Sequence, residues 1–490
     1  MFIVVVRRPI FVILHPYHRM LSEPAFLFLF LPVALFCIAA TLRLGRGTAL
    51  AVLLLSLSFY YWSSGHFVFL LIGCALGNWG FARILERDRR VGWLAAGLIL
   101  NLGVLAVFKY SHFATANWDR LFGSEAAPSL ANLALPIGIS FFTFQGVSYL
   151  LDVWRGDTEA AQDPVLFGAY LTFFPQLIAG PIVRFRDVAQ QYRKPTPSWE
   201  RASYGASRFT HGLLKKVVVA DTVAPVADAC FALGGDDLTF LSAWLGALAY
   251  SIQIYFDFSG YSDMAIGLAA LCGISLRENF DRPYSSSSLT EFWRRWHISL
   301  STWFRDYLYI PLGGGRGSRL SIYRNLILVF IATGFWHGAA WNFLAWGLFH
   351  GAFLMLERAV AGRGWWLTPS LPRRFMYAIP VTLLGWVLFR STSLDASLEY
   401  WKVMLWLGVT DALTLPDLIV QTLAPTTGFV LLAASAVFLL PRDWTAVRWI
   451  QGSSSPVGSA ARLLYLLVGL CLCGMLVLSG AFSPFLYFRF

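Results

Sequence analysis

Of the 490 residues, 57% are hydrophobic and only 13% are charged, a balance that excludes an ordinary water-soluble domain and defines a polytopic membrane protein. The net charge of +11 does not call for nucleic acid, because Lys and Arg collect in the cytoplasmic loops of membrane proteins. The six cysteines, Cys37, Cys74, Cys230, Cys272, Cys471 and Cys473, lie in apolar segments without a CxxC pair and read as small core residues.

The first nineteen residues carry Arg7, Arg8, His15, His18 and Arg19, and Met20 then opens LSEPAFLFLFLPVALF. A basic start before an apolar run has the outline of a signal peptide, but no small-residue cleavage site follows. Residues 1–19 are expected to be an upstream extension or interfacial arm, and 20–490 one membrane domain. Spans are expected near 25–42, 48–64, 66–83 and 92–110. The charged loops 43–46 and 83–90 are two spans apart, so they share a side, which the charge bias makes cytoplasmic.

From 132 onward Gly, Pro and Gln interrupt the apolar runs, as in LPIGISFFTFQGVSYLLD and VLFGAYLTFFPQLIAGPIV. Broken backbone at membrane depth survives only where protein or a cavity satisfies it, so this region is expected to be kinked or re-entrant around an internal site. HGLLKKVVVADTVAPVADA is expected to form an interfacial helix. The stretch 239–275 reads as two apolar helices interrupted by FDFSGYSD, whose Asp257 and Asp263 could orient a histidine, gate protons, or merely cap a turn. Further helices are expected near 323–340, 341–357, 375–390, 395–408, 427–440 and 461–480. The fold class is all-α, with about eleven transmembrane or re-entrant helices around a central tunnel.

Two histidines stand out. His337 lies thirteen residues beyond Arg324 in an otherwise uncharged run, near mid-depth of a hydrocarbon layer roughly 30 Å thick. Titratable groups there are functional candidates by default, although a buried imidazole bonded to a carbonyl is the plain alternative. Gly334 and Gly338 flank it and allow close approach of a ligand or another helix. His297 lies in LTEFWRRWHISLSTWFRDYLYI, preceded by Ser288 with Glu291 three residues on, a capping-box pattern, and stopped by Pro311 and three glycines. At helical spacing it joins Phe292, Trp293, Trp296, Leu300, Trp303, Phe304, Tyr307 and Leu308 on the apolar face of one amphipathic helix. Two such imidazoles make a shared site the stronger reading. His350 falls on another face and suits packing; His66, His112 and His211 lie near span ends. No carboxylate or thiolate stands at ligand spacing from His297 or His337, so no metal is expected.

The stretches 135–156, 173–185, 256–267, 279–314 and 334–351, together with the terminal SPFLYFRF (483–490), resemble the membrane-bound O-acyltransferase (MBOAT) family, in its bacterial alginate O-acetyltransferase membrane-subunit type. The resemblance covers most of 136–350 and implies a catalytic core at about 132–358. Family members begin close to the sequence at Met20, which leaves 1–19 as the departure. The resemblance implies a catalytic histidine at His337, a second functional histidine at His297, and a tunnel open to a donor from the cytoplasm and an acceptor from outside. It also implies an acyl relay at Tyr487 in the terminal motif, for which the plain alternative is an interfacial aromatic anchor.

Acyl transfer from a thioester needs a base near neutral pH, which imidazole supplies; a phenol, with pKa near 10, gives up its proton more readily than an aliphatic hydroxyl. The expected donor is acetyl-CoA, used as a substrate, with no permanently bound cofactor. Arg184, Arg186, Lys215 and Lys216 are candidates for meeting its phosphates. The expected partners are an extracytoplasmic SGNH-hydrolase-like acetyltransferase and a polysaccharide acceptor, in the inner membrane of a bacterium. Acetylation of cellulose or peptidoglycan and D-alanyl transfer to teichoic acid stay open. So does a transporter of a lipid-linked sugar or acyl carrier, for which broken helices and midplane polar groups are also expected, though no inverted repeat is found.

Overall fold

The computed structural model describes residues 21–123, 133–361, 370–407, 413–440, 456–479 and 485–486. The expected N-terminal arm and Tyr487 lie outside the described residues. Among the described residues all regular structure is helical.

The first described helices are α1 (Phe26–Leu44), α2 (Thr48–Ser64), α3 (Phe67–Arg87) and α4 (Val91–Phe122), close to the expected positions except that α4 continues past 110 through the more polar SHFATANWDRLF. These helices are apolar on nearly every face, as lipid-facing helices must be. Polar contacts join them from within: the amides of Asn78 and Asn101 bond each other at 3.0 and 2.8 Å between α3 and α4, the kind of interhelical hydrogen bond that holds helices together in lipid.

Next come α5 (Ile139–Arg155), α6 (Pro164–Leu171) and α7 (Phe185–Arg193). Between α6 and α7 the chain is irregular yet buried, with Phe173, Phe174, Leu177, Ile178 and Ala179 almost inaccessible. This is the broken stretch that the Gly and Pro pattern implied.

Two expectations for the following region are corrected. The segment expected at the interface is part of one long helix, α8 (199–232), whose Val217, Val223, Val226 and Ala227 are buried against α9 (Phe240–Leu271). FDFSGYSD does not interrupt α9, which runs continuously through it. Glycines that read as breakers instead form a seam. A Cβ on Gly260 would lie 2.8 Å from the Gly212 carbonyl oxygen, and one on Gly267 2.6 Å from that of Gly205. The roughly 1 kcal/mol helix penalty of each glycine is offset by the close approach of α8 and α9.

The remaining helices are α10 (Leu289–Arg295), α11 (Ile298–Phe304), α12 (Arg319–His337), α13 (Trp341–Val360), α14 (371–390), α15 (Leu394–Met404), α16 (Asp417–Thr422), α17 (Pro425–Phe438) and α18 (Pro456–Leu478). Among the described residues five helices are long and apolar enough to cross a membrane: α1, α3, α4, α13 and most of α18. The others fall short of this length or apolarity, so the expected count of about eleven transmembrane or re-entrant helices is matched only as far as these five.

Candidate active site

His337 is the last residue of α12. The final carbonyls of a helix have no intrahelical partner, and here α4 supplies them. Lys109 Nζ donates to the carbonyl oxygens of Trp336 and His337 at 2.5 and 3.1 Å, and the Tyr110 hydroxyl donates to that of Phe335 at 2.8 Å. A cation at that end also suits the helix dipole. Gly334 lets α12 lie against α13, since a Cβ there would stand 2.3 Å from the Phe343 carbonyl oxygen. The close approach expected of this glycine is therefore to another helix. The imidazole of His337 is held edge-on by Trp336, Trp346 and Phe389, with centroids at 4.8, 5.0 and 5.1 Å. It lines a cavity of about 20 Å³ with Ile254, Asp257, Phe258, Trp296 and Leu486, room for about one water.

His297 is not on a continuous amphipathic helix. The chain breaks between α10 and α11, and His297 sits at the break with φ 44°, a left-handed conformation that costs a non-glycine residue roughly 1–2 kcal/mol. Asn279, fully buried and eighteen residues upstream, holds it there. Its main-chain oxygen accepts from the Ile298 N–H (2.9 Å), and its Oδ1 accepts from the N–H and hydroxyl of Ser299 (3.1 and 2.9 Å). The Ser299 N–H can only donate, which fixes Oδ1 as the amide atom facing this cluster. His297 Nδ1, 3.2 Å from the same oxygen, must then carry the hydrogen. In the neutral ring the lone pair lies on Nε2, which is buried and has no partner among the described residues. An acceptor is thus available to a substrate hydroxyl, thiol or water.

Both imidazoles border Trp336, whose ring centroid is 6.1 Å from that of His297 and 4.8 Å from that of His337. Phe258, which lines the His337 cavity, meets the His297 ring perpendicularly at 4.7 Å. On the other side of His297, Ser299 lines a larger cavity of about 210 Å³ with Ile182, Arg184, Arg277, Glu278 and Thr302. Ser275, Arg277 and Glu278 on its wall are exposed, so this outer cavity reaches the protein surface. His297 therefore stands between the outer cavity and the inner one.

Of the four cations expected at a donor's phosphates, only Arg184 lines the outer cavity, and it is paired with Asp306 at 2.7 Å. Arg186 binds Asp152 and Asp157. Lys215 pairs with Asp263 and Lys216 with both Asp221 and Asp257, each at 2.7 Å. The last two are corrected: α8 runs along α9 and turns these lysines toward its carboxylates. Among the described residues neither Asp257 nor Asp263 bonds a histidine. Asp263 binds Arg208 (2.6 Å) and Lys215, and Asp257 binds Lys216 and accepts from the Leu486 N–H at 2.8 Å. The C-terminal residues Phe485 and Leu486 are consequently brought to the His337 cavity.

Ser288 caps α10 through the Glu291 N–H (3.1 Å), but Glu291 reaches back to the Ser287 N–H rather than closing the expected box. Sequence reasoning missed Glu357, which accepts from the N–H groups of Leu289 (2.5 Å) and Thr290 (2.9 Å) and from Tyr377 (3.0 Å), tying α10 to α13 and α14. It also missed Lys109, for which a lysine within the apolar run LAVFKY was the signal available, and Asn279, which the surrounding charged stretch RENFDR does not single out. His350 packs between Trp293 and Trp346 at 5.1 and 5.0 Å, the packing role expected of it. His211 binds the Tyr465 hydroxyl on α18 at 2.8 Å.

The sequence profile of the MBOAT family, the membrane-bound O-acyltransferases, matches residues 86–381, more than half of the chain, and the chain belongs to that family. It is 45% identical over 397 residues to the probable alginate O-acetylase of Azotobacter vinelandii, covering 79% of this chain and 78% of that one. Identity is 36% over 440 residues to the peptidoglycan O-acetyltransferase of Helicobacter pylori, covering 81% of each. With the teichoic acid D-alanyltransferase of Bacillus subtilis it is 29% over 239 residues, 46% of this chain and 59% of that one. The protein is a multi-pass membrane O-acyltransferase.

Proposed function

We propose that this enzyme takes an acetyl group from acetyl-CoA on the cytoplasmic side of a bacterial inner membrane and passes it through the protein. An extracytoplasmic SGNH-hydrolase-like partner then esterifies hydroxyls of an alginate-like exopolysaccharide. The observation that carries the reading is that His337 and Leu486 line one cavity whose walls are buried side chains, with His297 between it and an outer cavity that Arg184 lines. Tyr487 is the residue that follows Leu486 in the sequence.

In the proposed step His337 takes the Tyr487 phenol proton while the phenolic oxygen attacks the thioester carbonyl carbon. The tetrahedral adduct collapses with cleavage of the C–S bond, and the CoA sulfur leaves with the proton from His337. Acetyl-tyrosine then gives its acetyl group to a partner hydroxyl and regains a hydrogen. His297, anchored through Nδ1, offers Nε2 to position the donor. The mostly aromatic walls leave little room for the water that would hydrolyse either ester.

Alginate is favoured as the polymer by the 45% identity to a relative named for it. Peptidoglycan is the second reading, on the relative matched across 81% of both chains. The test is thioester cleavage: purified protein given acetyl-CoA and partner should release free CoA thiol, and His337→Ala should stop the release while the protein stays folded. Transport of a lipid-linked sugar without CoA release would overturn the reading.

A further inference from the structure

We propose that Asp257, backed by Lys216, is a main-chain latch that holds the chain's own C-terminal segment in the His337 cavity. Three contacts converge on the two described tail residues. The Leu486 N–H donates to Asp257 Oδ2 at 2.8 Å. The Phe485 ring meets Tyr261, one turn further along α9, at 5.0 Å and perpendicular. Lys216 Nζ stands 4.7 Å over the same ring, a cation–π contact strengthened by desolvation. Phe485, Leu486, Lys216 and Asp257 are all 4% exposed or less. Asp257 reaches the tail with one carboxylate oxygen while the other pairs with Lys216 at 2.7 Å, so one buried acid serves a buried cation and a backbone donor together.

A carboxylate bonded to a main-chain N–H reads position along the chain and not side-chain identity. The ring contacts supply the selection, requiring an aromatic residue immediately before the latched N–H. The latch thus fixes the register of the tail: with Phe485 in the Tyr261–Lys216 slot, Leu486 lines the cavity and Tyr487 is the next residue. Asp257 is in this account a positioning residue. The importance of that register to catalysis rests on the acyl-relay reading above, whereas the latch itself does not.

The test is carboxypeptidase digestion of the purified full-length protein, followed by intact mass. In the wild type, trimming should stall before Leu486 is removed. Asp257→Leu should lose Leu486 about tenfold faster, the factor expected for loss of one charge-assisted hydrogen bond, and Asp257→Asn, which keeps a carbonyl acceptor, should fall between. Should Asp257→Leu fail to fold, Phe485→Ala tests the latch from the tail side and should also be trimmed faster, with a cooperative thermal unfolding transition retained. Equal trimming of wild type, Asp257→Leu and Phe485→Ala overturns the latch; if Asp257→Leu fails to fold, equal trimming of wild type and Phe485→Ala does so. The relay is judged separately: a Tyr487→Phe protein that still transfers acetyl, with trimming sensitive to Asp257, sinks the relay and leaves the latch standing.

Discussion

Replacing Asn279 by Ala should damage the enzyme more than the loss of any surface residue. Its Oδ1 faces three donors, His297 Nδ1 and the N–H and hydroxyl of Ser299, at 3.2, 3.1 and 2.9 Å, and its Nδ2 donates to Ser262 Oγ at 3.1 Å. An oxygen with two lone pairs satisfies about two donors fully. Truncation therefore removes about three good bonds of roughly 1 kcal/mol each and leaves the part-buried Ser299 N–H without this acceptor, for a total of about 3–4 kcal/mol. That residue also holds His297 in its left-handed conformation, so the ring should lose its fixed tautomer and direction. CoA release should fall about a hundredfold, equivalent to about 2.7 kcal/mol of barrier. Asn279→Asp, which keeps the acceptor oxygen, should recover part of both losses. The assay pairs denaturant unfolding of detergent-solubilised protein with initial rates of thiol release. Activity within about threefold and stability within about 0.5 kcal/mol of wild type, the range of ordinary surface changes, would refute the reasoning.

Lys109→Met keeps the length of the side chain but removes the donors to the Trp336 and His337 carbonyls; kcat should fall about tenfold with the KM for acetyl-CoA unchanged, and an unchanged kcat would dismiss the clamp. Arg277 lines the outer cavity with a side chain 76% exposed, so Arg277→Ala should raise that KM about fivefold, less at high salt. A KM indifferent to both charge and salt would place the CoA phosphates elsewhere. Glu357→Leu strips the N–H partners from the start of α10 and should lower unfolding stability by about 3–5 kcal/mol; a loss below about 1 kcal/mol contradicts its anchoring role.

The first four helices were legible because long apolar runs separated by short polar or charged loops fill residues 25 to 110, and lipid imposes that pattern directly. The α9 helix was not, because Gly260 reads locally as a breaker, and only its contact with Gly212 on α8 explains it. The break at His297 is invisible to helical periodicity for a related reason: the atoms that stabilise it belong to Asn279, outside any window centred on the aromatic face. Charge alone makes Lys215 and Lys216 candidates for the donor's phosphates, whereas the carboxylates of Asp263 and Asp257 claim them inside the bundle. The two histidines could be singled out by their rarity in apolar surroundings. Their common neighbour, Trp336, required coordinates.

The most direct test of the account is to find the acetyl group on the chain. Purified protein incubated with acetyl-CoA alone, digested and mapped by mass spectrometry, should carry one acetyl ester on the Tyr487 oxygen, absent when His337 is replaced by Ala and removed again when the partner is added. Full polymer acetylation by a protein whose Tyr487 never carries acetyl would contradict it.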